Sequence, residues 1–305
     1  MPNGLPAVRC LGTLLSGATG GDGMVAARAE TFRARQLRLE LLRLRTTARL
    51  TLDDVAAELD WSSSKISRIE SGRNGVSPSD VRLLLDVYGV RDHATREKLV
   101  ELARAARRKG WWHAYPEVFR SAYATAEADA VTISTYESDL VPGLLQTADY
   151  QTALLRACRP DLRDAEIERR LAARAERRAI LTRSDPPRLM VVVGEAVLRR
   201  PVGGRKVMRG QLTYLIELAE SPWMSFQILP SNSGSHAGRG VSFVLLDLAE
   251  GGRLGVVFLE HLTGHLFLEA ETDVARYREE FSVLVKEAMD PEESIALIRR
   301  SLAEM

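Results

Sequence analysis

Two sets of residues in this 305-residue chain have side chains suited to chemistry. The first is small, polar and basic: Ser62, Ser63, Ser64, Lys65, Ser67 and Arg68, followed by Arg73 and Asn74. Ile66 and Ile69 lie within it, at the spacing of one helical face. On that helix Ser64, Ser67, Arg68 and Ser71 point away from the isoleucines, with Ser63 and Lys65 on the flanks. A helix so slim can lie in the major groove of DNA, where an arginine fork matches guanine O6 and N7 and serines can bond bases or phosphates. Arg73 and Asn74, just past the helix, are placed to touch a phosphate. The same residues would also make a plain solvated face, and the helix alone does not decide between the two.

The second set is scattered through the later half. Ser235, His236 and Glu260 could be written as nucleophile, base and orienting acid. No G-x-S-x-G elbow, HExxH, P-loop or GxGxxG context accompanies them, so catalysis is not expected. Cys10 and Cys158 are far apart without ligand spacing, which suggests no disulfide, no metal site and no cofactor. The remaining candidates would hold a ligand or a partner. Trp111, Trp112 and Tyr136 could line a pocket, though core packing suits aromatics equally. Glu195 and Arg199 follow a strand beside the Gly203-Gly204 turn, and an ordinary ion pair is the alternative there. His236 lies in a turn-like loop, and Glu260 and His261 lie at a strand end.

The elements that must position these residues fall into two groups. Arg33 to Ala48 carries Leu37, Leu41, Leu44 and Ala48 at helical spacing. Thr51, with Asp54 three residues on, opens a helix from Leu52 to Leu59 through a variant capping box. The Ser62–Ser71 helix follows and stops at Gly72. Ser77-Pro78-Ser79-Asp80 starts a fourth helix ending at Gly89, and a fifth spans Thr95 to Arg108. Short helices on short turns make residues 28–110 an all-α helix-turn-helix domain. Residues 1–27 read as a disordered tail, in which Met24 is a candidate start.

Residues 111–305 read as a mixed domain. Helices are expected at Ala165–Thr182, Val207–Glu220 and Asp273–Met289, and a last one from Asp290 to about Leu302. Strands are expected at Arg188–Val193, Met224–Leu229, Val241–Leu248, Leu254–Leu259 and His265–Leu268, with a hairpin turn at Gly251-Gly252. This is an α+β regulatory domain with a largely antiparallel sheet.

Charge separates the same halves. The chain balances to +1, but residues 28–110 hold 18 Lys/Arg against 12 Asp/Glu, and residues 111–305 hold 23 against 28. A basic first domain suits a polyanion reader joined to something else. No apolar run reaches the roughly 18 residues of a membrane span.

The run Ser64-Lys65-Ile66-Ser67-Arg68-Ile69-Glu70-Ser71-Gly72, with Leu50 to Ala56 before it and Ser77 to Val81 after it, resembles the lambda-repressor-like, xenobiotic-response-element class of regulators. Gly110 to Tyr115, Tyr136-Glu137 with Leu140 to Tyr150, and Glu195 to Gly204 are similar to an actinobacterial, WhiJ-like subgroup, over about residues 30–300. Its members join such a helix-turn-helix to a C-terminal domain of unassigned function. The resemblance implies an ion pair between Arg45 and Glu70. It also implies a loss, because many relatives carry glutamine, a phosphate contact, at the position of Leu52.

The expected protein is therefore a cytoplasmic, nucleoid-associated, sequence-specific transcriptional regulator. It would bind a double-stranded DNA operator as a homodimer, and its second domain would sense a small-molecule effector or a protein partner. The resemblance implies that small acidic proteins encoded beside such regulators are partners. The alternative is an antitoxin-like interaction module that binds such a protein and uses DNA binding for autoregulation.

Overall fold

The computed structural model describes residues 32–107, 110–118, 121–234, 241–248, 254–261 and 264–305. The chain divides into two compact units, with the division between His113 and Ala114.

Among the described residues the first unit has five α-helices: α1 (Phe32–Thr47), α2 (Leu52–Leu59), α3 (Ser63–Glu70), α4 (Pro78–Val87) and α5 (His93–Arg107). Local side-chain chemistry sets their starts. The Thr51 hydroxyl accepts from the Asp54 amide at 3.1 Å, and the Asp54 carboxylate accepts from the Thr51 amide at 2.8 Å, so the capping box ahead of α2 is complete. Ser62 and Ser77 cap α3 and α4 by accepting from Lys65 N–H and Asp80 N–H. α3 ends where Gly72 takes a φ of +75°, a conformation that side chains other than glycine's resist. Leu37, Leu41, Val55, Ile66, Ile69, Val81, Leu84, Leu85 and Leu99 close the core.

The second unit carries α6 (Ser121–Asp129), β1 (Thr132–Glu137), α7 (Ala148–Cys158), α8 (Asp164–Arg178), β2 (Arg188–Gly194), a single turn α9 (Ala196–Arg199), α10 (Arg205–Ala219), β3 (Met224–Leu229), β4 (Phe243–Asp247), β5 (Gly255–His261), β6 (Gly264–Leu268), α11 (Glu271–Glu287) and α12 (Pro291–Ala303). Among the described residues the strands form a six-stranded sheet in the order β3-β2-β1-β4-β5-β6. The α+β class holds, but the sheet is less antiparallel than expected. β1, β2 and β3 run parallel, while β1–β4, β4–β5 and β5–β6 are antiparallel. Each parallel step is crossed by helices, α7 and α8 before β2 and α9 and α10 before β3, as the reach of a parallel connection requires. β4 pairs with β5 as a hairpin would, and Gly251-Gly252 lie outside the described residues.

Strand alternation gives the sheet two different faces. Tyr136, Val192, Phe243, Leu245 and Val257 pack with Val274, Phe281 and Leu284 of α11. The opposite face of β1 presents Ile133, Thr135 and Glu137, and the registers place Val244 and Phe258 beside them. Tyr123 of α6 lies over Phe258 at 4.5 Å between ring centroids. Among the described residues no helix is long and apolar enough to cross a membrane.

Candidate functional site

The first candidate surface is α3. Ser64, Ser67, Arg68 and Ser71 are all exposed, as the helical wheel requires, and so are Arg73 and Asn74 beyond it. Ser62 is exposed too, while its hydroxyl caps the helix. Two flanking residues also make contacts within the domain. The Ser63 hydroxyl hydrogen-bonds Asp53. The Lys65 ammonium sits 3.2 Å from the Trp61 ring centroid and 3.5 Å from Asp80, because its stem falls along the indole rather than outward.

Behind this surface stands a clamp. Arg45 Nε and Nη2 donate to the two Glu70 carboxylate oxygens at 2.6 and 2.8 Å, and Nη1 donates to Leu50 O at 2.6 Å. Arg38 adds a bond to Glu70 O at 3.1 Å. α3 is thereby tied to α1 and to the turn before α2. Leu52 packs against the hydrophobic core, and the polar link from α2 to α3 passes through the next residue, Asp53.

The second candidate is a cleft on the open face of the sheet, with about 610 Å³ of space continuous with solvent. Its walls include Ile133, Leu144, Leu145, Leu189, Phe243 and Phe258. Into this apolar setting project Tyr123, Glu127, Glu137, Arg177, Ser242 and Glu260. Arg177 and Glu127 are 5% and 3% exposed, and their two bonds measure 2.6 and 2.7 Å. The Tyr123 hydroxyl donates to Glu127 at 2.7 Å and accepts from Arg177 at 3.2 Å. Burial pulls the Arg177 proton affinity down, but the Glu127 carboxylate more than offsets this and holds it above the ordinary value. Burial lowers the neighbouring Arg174 to about 10, and repulsion from Arg177 contributes.

Glu137 behaves differently. Burial pushes its carboxyl up to about 7, against the Ser242 hydroxyl, and repulsion from Glu260 and Asp139 adds to the rise. A carboxyl raised above its unfolded value stabilises the fold in its neutral form, below about pH 4.5, and that contribution is lost as pH climbs through 7. Glu137→Gln is therefore expected to be more stable than the parent at pH 8, by on the order of 2–3 kcal/mol allowing for partial exposure, and equal to it near pH 4. Paired urea titrations at the two pH values check this, and a constant difference would refute the assignment.

The other sequence candidates separate. Tyr136, grouped with ligand or partner residues, is 1% exposed in the core beneath α11, since strand alternation sends it to the face opposite Glu137. Glu195 and Arg199 pair with each other at 2.5 Å, and Glu195 also accepts from the Ser231 amide at 2.9 Å. Trp111 and Trp112 form a 3-10 turn in the first unit, edge to face at 5.9 Å. A Cβ on Gly110 would come within 2.1 Å of the Trp112 ring, so a larger residue there would require the indole to move. Glu260 reaches the cleft, His261 is exposed at the end of β5, and His236 lies outside the described residues. Tyr123, Glu127, Glu137, Arg177 and Ser242 were missed. The available signal was a tyrosine and a glutamate at i, i+4 in the alanine-rich Ser121–Asp129 segment.

At the start of the second unit, Arg169 of α8 hydrogen-bonds Glu117 and donates to Ala114 O at 2.6 Å, with its guanidinium 5.2 Å from the Tyr115 ring centroid.

Comparison with known proteins agrees with this division. Residues 36–99 match a family model described as a helix-turn-helix domain. Residues 120–300 match one described as a domain of unknown function (DUF5753). No curated protein and no solved structure matches the chain. The second match spans more than half of the chain, which therefore belongs to the DUF5753 family and carries a helix-turn-helix domain ahead of that family's domain.

Proposed function

We propose that this chain is a sequence-specific transcriptional regulator that lays α3 in the major groove and uses its second unit as a sensor. The observation that carries this reading is the outward face of α3. Ser64, Ser67, Arg68 and Ser71 are exposed and short or basic, and the Arg45–Glu70 clamp holds them in place. Arg68 is the one long donor on that face, suited to a guanine edge, with Arg73 and Asn74 on the phosphates. A single reading helix covers few base pairs, so a homodimer on paired half-sites is the working form. The resemblance to the actinobacterial, WhiJ-like class supports this reading and a place on the nucleoid in the cytoplasm. The cleft supports a sensory rather than a catalytic second unit.

Operator sequences selected from random DNA provide the test. Arg68→Ala is expected to cost about 1–3 kcal/mol and to relax preference at one base position. Uniform weakening across sequences would make Arg68 a phosphate contact, and unchanged binding would remove α3 as the reading helix.

A further inference from the structure

The cleft in the second unit has a defined electrostatic character. Its described lining carries three carboxylates, Glu127, Glu137 and Glu260, against the single guanidinium of Arg177. Arg177 spends Nε and Nη2 on Glu127, so its charge is already matched. Glu260 acts on Arg174, which is buried behind the wall. Among the described residues no salt bridge to Glu137 is seen, and the Ser242 hydroxyl shares the cleft wall with it. Around it the walls are aromatic and aliphatic: Phe258, Leu144 and Leu145.

We propose that this cleft binds a small organic cation, a protonated amine on an apolar body, with Glu137 as its counter-ion. An ionised carboxylate in an apolar recess is costly unless it meets an opposite charge, and an ammonium head supplies one. The Phe258 and Tyr123 rings pack on each other at 4.5 Å with the Arg177 guanidinium over Tyr123, and the aliphatic walls of Leu144 and Leu145 take the body of the ligand. An anion would meet a lining with excess negative charge, and a neutral ligand would leave Glu137 uncompensated.

This proposal rests on the reading of the second unit as a sensor and names the class of its effector. Binding is measured on the full chain without DNA, so its outcome is separate from that of the operator experiment. Hexylamine, 2-phenylethylamine and tryptamine are titrated calorimetrically, each beside its alcohol and carboxylate counterparts. At least one amine is expected to bind about tenfold tighter than its alcohol, with its carboxylate weaker still, because lowering the Glu137 pKa by about one unit on binding is linked to that factor. Affinity should rise between about pH 6 and pH 8 as Glu137 gives up its proton, with Glu260, Asp139 and Glu127 opposing the loss and Arg177 favouring it, while the amine stays charged. Glu137→Gln keeps the shape and the Ser242 contact, and its melting curve without ligand reports that it folds. It should lose about tenfold in amine affinity. Equal binding of amines and alcohols, unchanged amine affinity in Glu137→Gln, or no binding by any of the three amines would each overturn the proposal.

Discussion

Glu127→Ala should lower the melting temperature of the second unit by about 10 °C, the largest single-site effect expected there. The substitution removes the partner of a guanidinium that is 5% exposed and leaves Arg177 with the Tyr123 hydroxyl at 3.2 Å. Breaking one side of a buried pair typically costs about 3–5 kcal/mol, most of it the penalty of the stranded charge. Replacing both charges, as in Glu127→Leu with Arg177→Met, should recover most of that loss, because well-packed apolar residues often substitute for a buried pair without cost. Calorimetric melting of the single and double variants tests the assignment. A double variant no more stable than the single one would mean that the pair contributes more than charge compensation.

The second large effect is expected at Arg45. Arg45→Ala strands Glu70, whose side chain is 10% exposed, and frees Leu50 O. The loss is about 3 kcal/mol of first-unit stability, with faster amide exchange in α1 and α3. Arg45→Lys should restore less than half of it. One ammonium cannot span both carboxylate oxygens and also reach the Leu50 carbonyl. DNA affinity should fall with the stability of α3 even though Arg45 points away from its reading face. Protection of α3 amides at the parent level in Arg45→Ala would show that the clamp is dispensable.

How much of this was legible differs between the two units. In the first, starts and stops were written in local chemistry: Thr51 with Asp54, Ser77 with Pro78, and Gly72. These act within four residues, so a single sequence reveals them. The outward set on α3 follows from periodicity, and the Arg45–Glu70 pair came from resemblance. The commitment of Lys65 to Trp61 depends on a turn geometry that periodicity does not encode. In the second unit, α6 and β1 were not foreseen. Tyr123, Ala124, Thr125, Ala126 and Glu127 are consecutive and all buried, so α6 shows no one-sided stripe. β1 reads Thr-Ile-Ser-Thr-Tyr-Glu, polar by letter, yet it lies in the middle of the sheet with Ser134 and Thr135 4% exposed. Without β1 the parallel half of the sheet loses its first strand, and the cleft loses the wall that carries Glu137. The buried charges had no separate signal, since Arg177 lies in a helix that also holds four other arginines and three glutamates.

α8 is anchored at two places, through Arg177 in the cleft and through Arg169 at Ala114 and Glu117. Eight residues separate the two arginines, roughly 12 Å of rigid rod. Residues 114–117 are the first stretch of the second unit, so α8 ties the buried pair in the cleft to the start of that unit's own chain.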